Sequence, residues 1–248
     1  MKTSILSLFL LLMGFSTTST TDPTEIVQKA EDKLRGEQSY SEMSMTIVRP
    51  SWNRTIKMKS WSRGTDFSLI LITAPARDKG TVFLKKRKEI YNWIPSIERQ
   101  IKLPPSMMNQ SWMGSDFTND DLVTESSLVK DYDHELLGEV TVNGREAYQI
   151  KLVPKEDAAV IWGKVVLHID KTEYLHLKTE FYDEDEELVS TMEAKKIGTL
   201  GGKTLPTIIE MQPVSEPGNK TILEYQELDF DVNIPREYFT TQYMKRVR

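Results

Sequence analysis

Cysteine is absent from the 248-residue chain, and only three histidines occur in it. A chain without cysteine forms no disulfides and has no thiolate that could act as a nucleophile or a soft metal ligand. It also cannot be anchored through a lipid on an N-terminal cysteine. We therefore expect a fold that is stabilised by its hydrophobic core alone.

The chain also lacks an excess of basic residues. Its 32 Lys and Arg are outnumbered by 37 Asp and Glu, which gives a formal net charge of -5. Domains that bind nucleic acids carry a basic patch or stripe that neutralises phosphates. The composition therefore predicts no nucleic-acid partner.

Long apolar runs are missing everywhere except at the N-terminus. There, Lys2 precedes an apolar run at residues 5–13, and small residues follow at 16–21. This order is typical of a secretory signal peptide, and the run is too short to span a bilayer comfortably. We predict that residues 1–20 are a signal peptide removed on export to the periplasm. Because alanine is missing near the cleavage site, an uncleaved anchor is the alternative.

Motifs that would indicate an enzyme are absent as well. The sequence contains no G-x-S-x-G elbow, no Gly-rich phosphate loop and no H-E-x-x-H helix. His134 stands alone, whereas His168 and His176 would lie opposite each other if the chain turned about Thr172. Two imidazoles without a third ligand do not make a metal site. The five acids at 183–187 are typical of a solvated turn, so we predict no catalytic residue, no metal and no cofactor.

One amphipathic helix precedes a long series of alternating segments. Asp22, Pro23 and Glu25 are typical of a helix start, and Gly36 of a stop, so we expect a helix over residues 24–35. Its apolar stripe consists of Ile26, Val27, Ala30 and Leu34. Period-two patterns then predict strands at 40–48, 55–61, 67–73, 81–85, 89–94, 99–103, 132–142, 145–153, 162–169, 174–182, 188–197, 203–211 and 221–230.

Most of these segments are joined by short turns, for example Asn143-Gly144 and Gly201-Gly202. Short turns between consecutive strands build an antiparallel meander, and a sheet of about a dozen strands curls. We predict a mainly β fold, an unclosed antiparallel β-barrel of about a dozen strands with the N-terminal helix and a helical or loop lid on its concave side. No linker or repeat divides the chain, so we expect a single domain over residues 21–248.

The connection at residues 103–122 is unusually long and apolar for a turn, and it opens with two prolines. Its methionines are unbranched side chains that adapt to irregular or variable partners. Two interpretations stay open: a plug that permanently fills a hole in its own barrel, or a lid over a cavity. Both interpretations require a concave surface beneath the loop.

Apolar side chains that could line such a cavity are concentrated in the first half of the chain after residue 20. In a closed sandwich they would be ordinary core, whereas in an open barrel they would contact a flexible apolar ligand. The predicted ligand-binding residues are Met43, Met45, Ile47, Met58, Trp93, Met107, Met108, Trp112 and Met113.

Four stretches of the chain resemble the outer-membrane lipoprotein-sorting proteins, the group related to the carrier LolA and its receptor LolB. They are SEMSMTIVRPSWNRTIKMKSW at 41–61, the P-x-x-D-K-G segment at 75–80, YNWIPSIERQIKLPPSMMNQSWMGSDFTNDDL at 91–122, and Asp131-Tyr132. The long segment indicates an uncharacterised branch of the group. The resemblance implies an unclosed antiparallel barrel with helical lids over an apolar cavity that accepts lipid acyl chains.

Two departures from the family pattern bear on the function. LolA-type carriers have a cavity arginine involved in lid closure, and neither Arg49, Arg54 nor Arg63 can be matched to it from the sequence. LolB-type receptors are lipoproteins, which a chain without cysteine cannot be.

A carrier is therefore the leading hypothesis. The chain would be a monomeric periplasmic protein that binds acyl chains of lipids or lipoproteins and moves them between the inner and outer membranes. Its partners would be an inner-membrane transporter or an outer-membrane receptor. The alternative is a periplasmic regulatory protein that senses a lipid-bearing ligand and binds a membrane protein, since one fold can serve several functions. A hydrolase acting on a lipid or glycan is a third hypothesis, for which no catalytic constellation is visible.

Overall fold

The computed structural model describes residues 22–87, 89–124, 127–158 and 160–247. The predicted signal peptide and its cleavage site lie outside these residues. The elements are α1 (Pro23–Arg35), β1 (Gln38–Arg49), β2 (Trp52–Arg63), β3 (Phe67–Ala74), β4 (Val82–Lys86), β5 (Glu89–Ile94), β6 (Arg99–Lys102), β7 (Tyr132–Val142), β8 (Arg145–Pro154), β9 (Lys164–Asp170), β10 (His176–Tyr182), β11 (Leu188–Leu200), β12 (Lys203–Pro213), β13 (Lys220–Asp229) and α2 (Thr241–Met244).

The thirteen strands of the described residues form one antiparallel sheet, in the order β6-β5-β4-β3-β2-β1-β13-β12-β11-β10-β9-β8-β7. The pairing of β1 with β13 joins two meanders, and β6 and β7 are left as the two edges. The predicted fold class, a mainly β and unclosed antiparallel barrel, is confirmed. Among the described residues, no helix is long and apolar enough to cross a membrane.

The predicted turns and alternation are present where the sequence placed them. Asn143 and Gly144 both have positive φ, at 49° and 78°, in the hairpin between β7 and β8. This is the backbone that a two-residue type I′ turn requires. On β1, Met43, Met45 and Ile47 are buried, and the intervening residues are half-buried.

The helix α1 begins with the predicted cap, because the Asp22 side chain accepts a hydrogen bond from the Thr24 N–H at 2.9 Å. Ile26, Val27 and Ala30 are buried in the main core with residues of β1, β2 and β9. The side chain of Leu34, the fourth member of the predicted stripe, lies outside the described residues. The one apolar face of α1 is therefore held on the concave side of the sheet, against β7 and β9.

A second core lies on the other face of the sheet, which the sequence patterns did not predict. Leu69 and Leu71 of β3 and Leu84 of β4 pack against the C-terminal strap, defined as residues 230–247. The strap residues that cover them are Ile234, Phe239, Met244 and Val247. This part of the sheet is buried on both faces, and β3 and β4 accordingly have continuous runs of buried residues rather than an alternating pattern.

Candidate functional site

An apolar cavity of about 170 Å³ lies between α1, residues 117–121, residues 128–132 and strands β9 to β12. Its strand wall follows from period-two geometry, because residues two apart on a strand point to the same face. Apolar lining residues on the strands are Val165, Phe181, Met192, Ala194, Leu205, Ile209 and Met211. The wall is built from the second half of the chain.

The other side of the cavity is formed by α1 and by the connection between the two edge strands. Ala30 contributes from α1, Phe117 from the connection at 103–122, Leu128 from the residues before β7, and Tyr132 from the start of β7. Trp162 completes this side, with its ring centroid 5.0 Å from that of Phe181. The lining is thus aromatic and aliphatic, as in sites for small apolar ligands.

Two adjacent acids, Asp120 and Asp121, also line the cavity. Burial raises the pKa of Asp121 to about 6, and the negative charge of Asp120 acts in the same direction. Hydrogen bonds with Thr118 oppose this effect on the pKa: Asp121 Oδ2 accepts from the Thr118 N–H at 2.8 Å. Asp121 is therefore ionised at neutral pH and protonated in mild acid.

Each of the three basic side chains of the lining has an acidic neighbour. Lys33 Nζ lies 2.6 Å from Glu173 Oε2, and Lys178 Nζ lies 2.8 Å from Glu180 Oε1. His176 Nε2 lies 3.4 Å from Glu31 Oε1. The basic charge at the cavity is consequently balanced within the protein.

None of the nine predicted ligand-binding residues lines this cavity. Met43, Met45, Ile47, Met58 and Trp112 are buried in the main core, where Trp112 packs against Phe83 with centroids 5.1 Å apart. Met107 is half-buried, and Met108 and Met113 pack on the edge of the same core. Trp93 lies on the opposite face of the sheet, against the second core. Ligand binding by these residues stays a prediction.

The sequence reasoning missed the residues that do line the cavity because it followed methionine and tryptophan density. Most of these methionine and tryptophan residues lie where the connection packs against the first strands and fills the core between them. The available signal was weaker: Trp162 lies two residues before β9, and apolar residues recur at every second position in parts of β10 and β12. Those patterns alone do not distinguish a cavity wall from ordinary core.

The connection at residues 103–122 has features of both interpretations, plug and lid. Arg49 forms two hydrogen bonds with Asp116, at 3.1 and 2.9 Å, and Thr221 Oγ1 donates to Asp116 at 2.6 Å. Arg54 donates to the Met113 carbonyl oxygen at 2.8 Å. The part around Trp112 to Asp116 is therefore fixed to β1, β2 and β13 as a plug, and the part that follows borders the cavity.

The structure also shows the contacts of the three arginines that could not be matched to a lid-closing role from the sequence. Arg49 and Arg54 both bind the connection, whereas Arg63 donates to the Ile234 carbonyl oxygen at 3.1 Å, in the C-terminal strap. Two of the three thus lie where the connection meets the sheet.

The predicted juxtaposition of His168 and His176 is wrong. A bulge in β10 places His168 opposite Lys178 and His176 opposite Ile169. His134 contacts Thr24 Oγ1 at 3.3 Å, so each histidine has its own surroundings. Among the residues that the structure describes, no three His, Asp or Glu side chains are grouped so that they could hold a metal ion.

The acidic segment at 183–187 forms the tip of the hairpin between β10 and β11. Asp183 Oδ1 accepts hydrogen bonds from the backbone N–H groups of Asp185 and Glu187, at 3.0 and 2.9 Å. The four residues after Asp183 are exposed. This is a turn held by its own first side chain.

Comparisons with known proteins agree with this architecture. A family model described as "Uncharacterized protein" matches residues 64–246. No curated protein matches the chain.

Three solved structures are similar over most of their length. A DUF1329 family protein from Desulfovibrio piger is 25% identical, with a TM-score of 0.83, and the alignment covers 90% of this chain and 100% of that one. A Vibrio parahaemolyticus domain described as an outer membrane lipoprotein-sorting protein is 23% identical, with a TM-score of 0.79 and coverage of 90% and 98%. A LolA superfamily protein from Nitrosomonas europaea is 22% identical, with a TM-score of 0.78 and coverage of 90% and 99%.

Proposed function

The chain belongs to the family described as "Uncharacterized protein" and has the LolA-like fold of outer-membrane lipoprotein-sorting proteins, and from this premise we propose that it is a carrier of acyl chains. The family resemblance seen in the sequence is thereby confirmed. The proposed carrier is a single domain over residues 21–248 that acts in the periplasm after removal of residues 1–20. It acts by binding and release, without catalysis.

The observation that carries this proposal is the cavity itself. An apolar space of about 170 Å³ opens between a helix and a curved sheet, and its walls are aromatic and aliphatic. Each methylene group that moves from water into such a space contributes about 0.8 kcal/mol. A chain that buries about six carbons would therefore gain several kcal/mol without any specific polar contact.

Release requires the cavity to open. The segment best placed to move is residues 117–122 of the connection, because it borders the cavity and follows the fixed plug. A lipid or lipoprotein would enter and leave there, after contact with an inner-membrane transporter or an outer-membrane receptor. These partners are proposed from the architecture of the family.

The test fills the cavity without removing core contacts. Ala194 lines the cavity on β11, so the Ala194→Phe substitution places a ring in the space that a chain would occupy. We expect a fluorescent fatty-acyl probe to bind the variant at least tenfold more weakly than the parent. The matched control is Thr199→Phe, which adds the same ring at an exposed position of the same strand. Equal probe affinity for the parent and the Ala194→Phe variant, with both folded by circular dichroism, would contradict the proposal.

A further inference from the structure

One buried hydroxyl faces the apolar cavity without a hydrogen-bond partner. Thr179 lines the cavity from β10 and is 3% exposed. Its Oγ1 atom has no partner among the residues that the structure describes. A buried hydroxyl left unpaired costs free energy, and buried polar groups in proteins are nearly always satisfied. Thr179 therefore indicates a polar atom in the ligand.

The charges around the cavity restrict what that polar atom can be. Lys33 and Lys178 already pair with Glu173 and Glu180. His176 Nε2 makes no hydrogen bond within the described part of the chain, but it lies 3.4 Å from Glu31 Oε1. Asp121 is ionised at pH 7.5, and Asp120 lies beside it. A ligand carboxylate would thus meet like charge in a poorly hydrated space, where it would lose its water without gaining a free cationic partner.

The size of the cavity restricts the number of chains. Its volume of about 170 Å³ is close to that of an engineered cavity of about 150 Å³ that binds one benzene molecule. It has room for a segment of one chain and not for several chains side by side.

We propose that the cavity selects a single acyl chain carried on an uncharged hydrogen-bonding group, such as an ester, an amide or an alcohol, and that it discriminates against free fatty acids. Thr179 is the residue that determines this specificity, because its hydroxyl donates to the carbonyl or hydroxyl oxygen of that group. The inference rests on the proposed function and adds the class of ligand to it.

The first test compares three probes with the same twelve-carbon chain at pH 7.5. They are methyl dodecanoate, dodecanoate and dodecyltrimethylammonium, and each is measured by displacement of a fluorescent apolar dye from the full mature chain. We expect methyl dodecanoate to bind at least tenfold more tightly than dodecanoate. Equal or tighter binding of dodecanoate overturns the inference and leaves the proposed function standing. If the dye does not bind and none of the probes binds, the inference and the proposed function both fail.

The second test removes the hydroxyl at nearly constant shape. Thr179→Val should lower the ratio of the affinity for methyl dodecanoate to the affinity for the apolar dye about three- to tenfold, the effect of one neutral hydrogen bond. Thr179→Ser keeps the hydroxyl and should retain the ratio of the parent. A ratio that is the same in Thr179→Val as in the parent overturns the role of Thr179.

Discussion

At the scale of single residues, the molecule places its polar groups in two different ways. Asp116 is a carboxylate that accepts three hydrogen bonds, two from Arg49 and one from Thr221, and it fixes the plug to the sheet. Asp121 is five residues further on, and burial raises its pKa to about 6. Asp116 stabilises the fold. Asp121 places a negative charge beside the cavity, and the burial of that charge lowers the stability of the fold at neutral pH.

The pKa of Asp121 leads to a prediction about pH. Because the pKa is raised from 3.8 to about 6 in the folded chain, the folded state takes up the proton first as pH falls. The destabilising contribution of Asp121 is thus fully present above pH 6 and disappears as the pH falls through 6 towards 4. A shift of this size corresponds to about 3 kcal/mol.

We therefore expect Asp121→Asn to stabilise the protein at pH 7.5 and to change its stability much less at pH 4.5. Asparagine keeps an oxygen that accepts from the Thr118 N–H, so the local turn survives. Urea unfolding at the two pH values measures the effect, with Glu184→Gln in the exposed turn as the control. A variant that is equally or less stable than the parent at pH 7.5 would show that the buried charge carries no such cost.

At the scale of elements, the C-terminal strap is the part of the fold that the sequence patterns did not predict. The strap has no strand alternation and only two short helices, a 3-10 helix at Arg236–Phe239 and α2, yet it buries large side chains on the outer face of β3 and β4. Phe239 is 1% exposed, and its ring centroid lies 5.5 Å from that of Phe67. The strap therefore stabilises the sheet from the side opposite the cavity.

The Phe239→Ala substitution tests whether the outer face of the sheet contributes to stability alone or also to ligand binding. Truncation of a fully buried phenylalanine costs about 3–5 kcal/mol. We expect a loss of stability of this size in urea unfolding, together with acyl-probe affinity that is unchanged under conditions where the variant is folded. Val214→Ala, at a position that is 51% exposed, should change stability by no more than about 0.5 kcal/mol. Weakened probe binding by folded Phe239→Ala would show that the outer face contributes to the site.

At the scale of the whole molecule, the sequence predicted the fold, whereas it did not indicate which residues line the cavity, and both outcomes have one physical reason. Alternation, capping and turn residues such as Asn143-Gly144 act locally, so they reveal the helix, the hairpins and the antiparallel order. A cavity depends on how distant segments pack. Met45 and Ile47 look the same in the sequence whether they contact a ligand or other core residues, and here they lie in the main core together with Trp112.

The order of the strands explains why the cavity lies beside the second half of the sheet. The chain builds one meander from β1 to β6, crosses to the far edge and builds the second meander from β7 to β13. The crossing segment plugs the first meander with Trp112 and leaves a cavity beside Trp162 in the second. This arrangement, rather than residue composition, decides which strands can contact a ligand.

The central claim is that an acyl chain binds between α1 and strands β9 to β12. The most direct measurement uses a methyl ester of a fatty acid with a photoreactive diazirine near the end of its chain. After illumination of the complex, peptide mass spectrometry identifies the labelled residues. We predict labels at Val165, Phe181, Met192 and Met211, all of which line the cavity. Labels confined to Met43, Met45 and Met58, or to Trp93 on the outer face, would contradict the account.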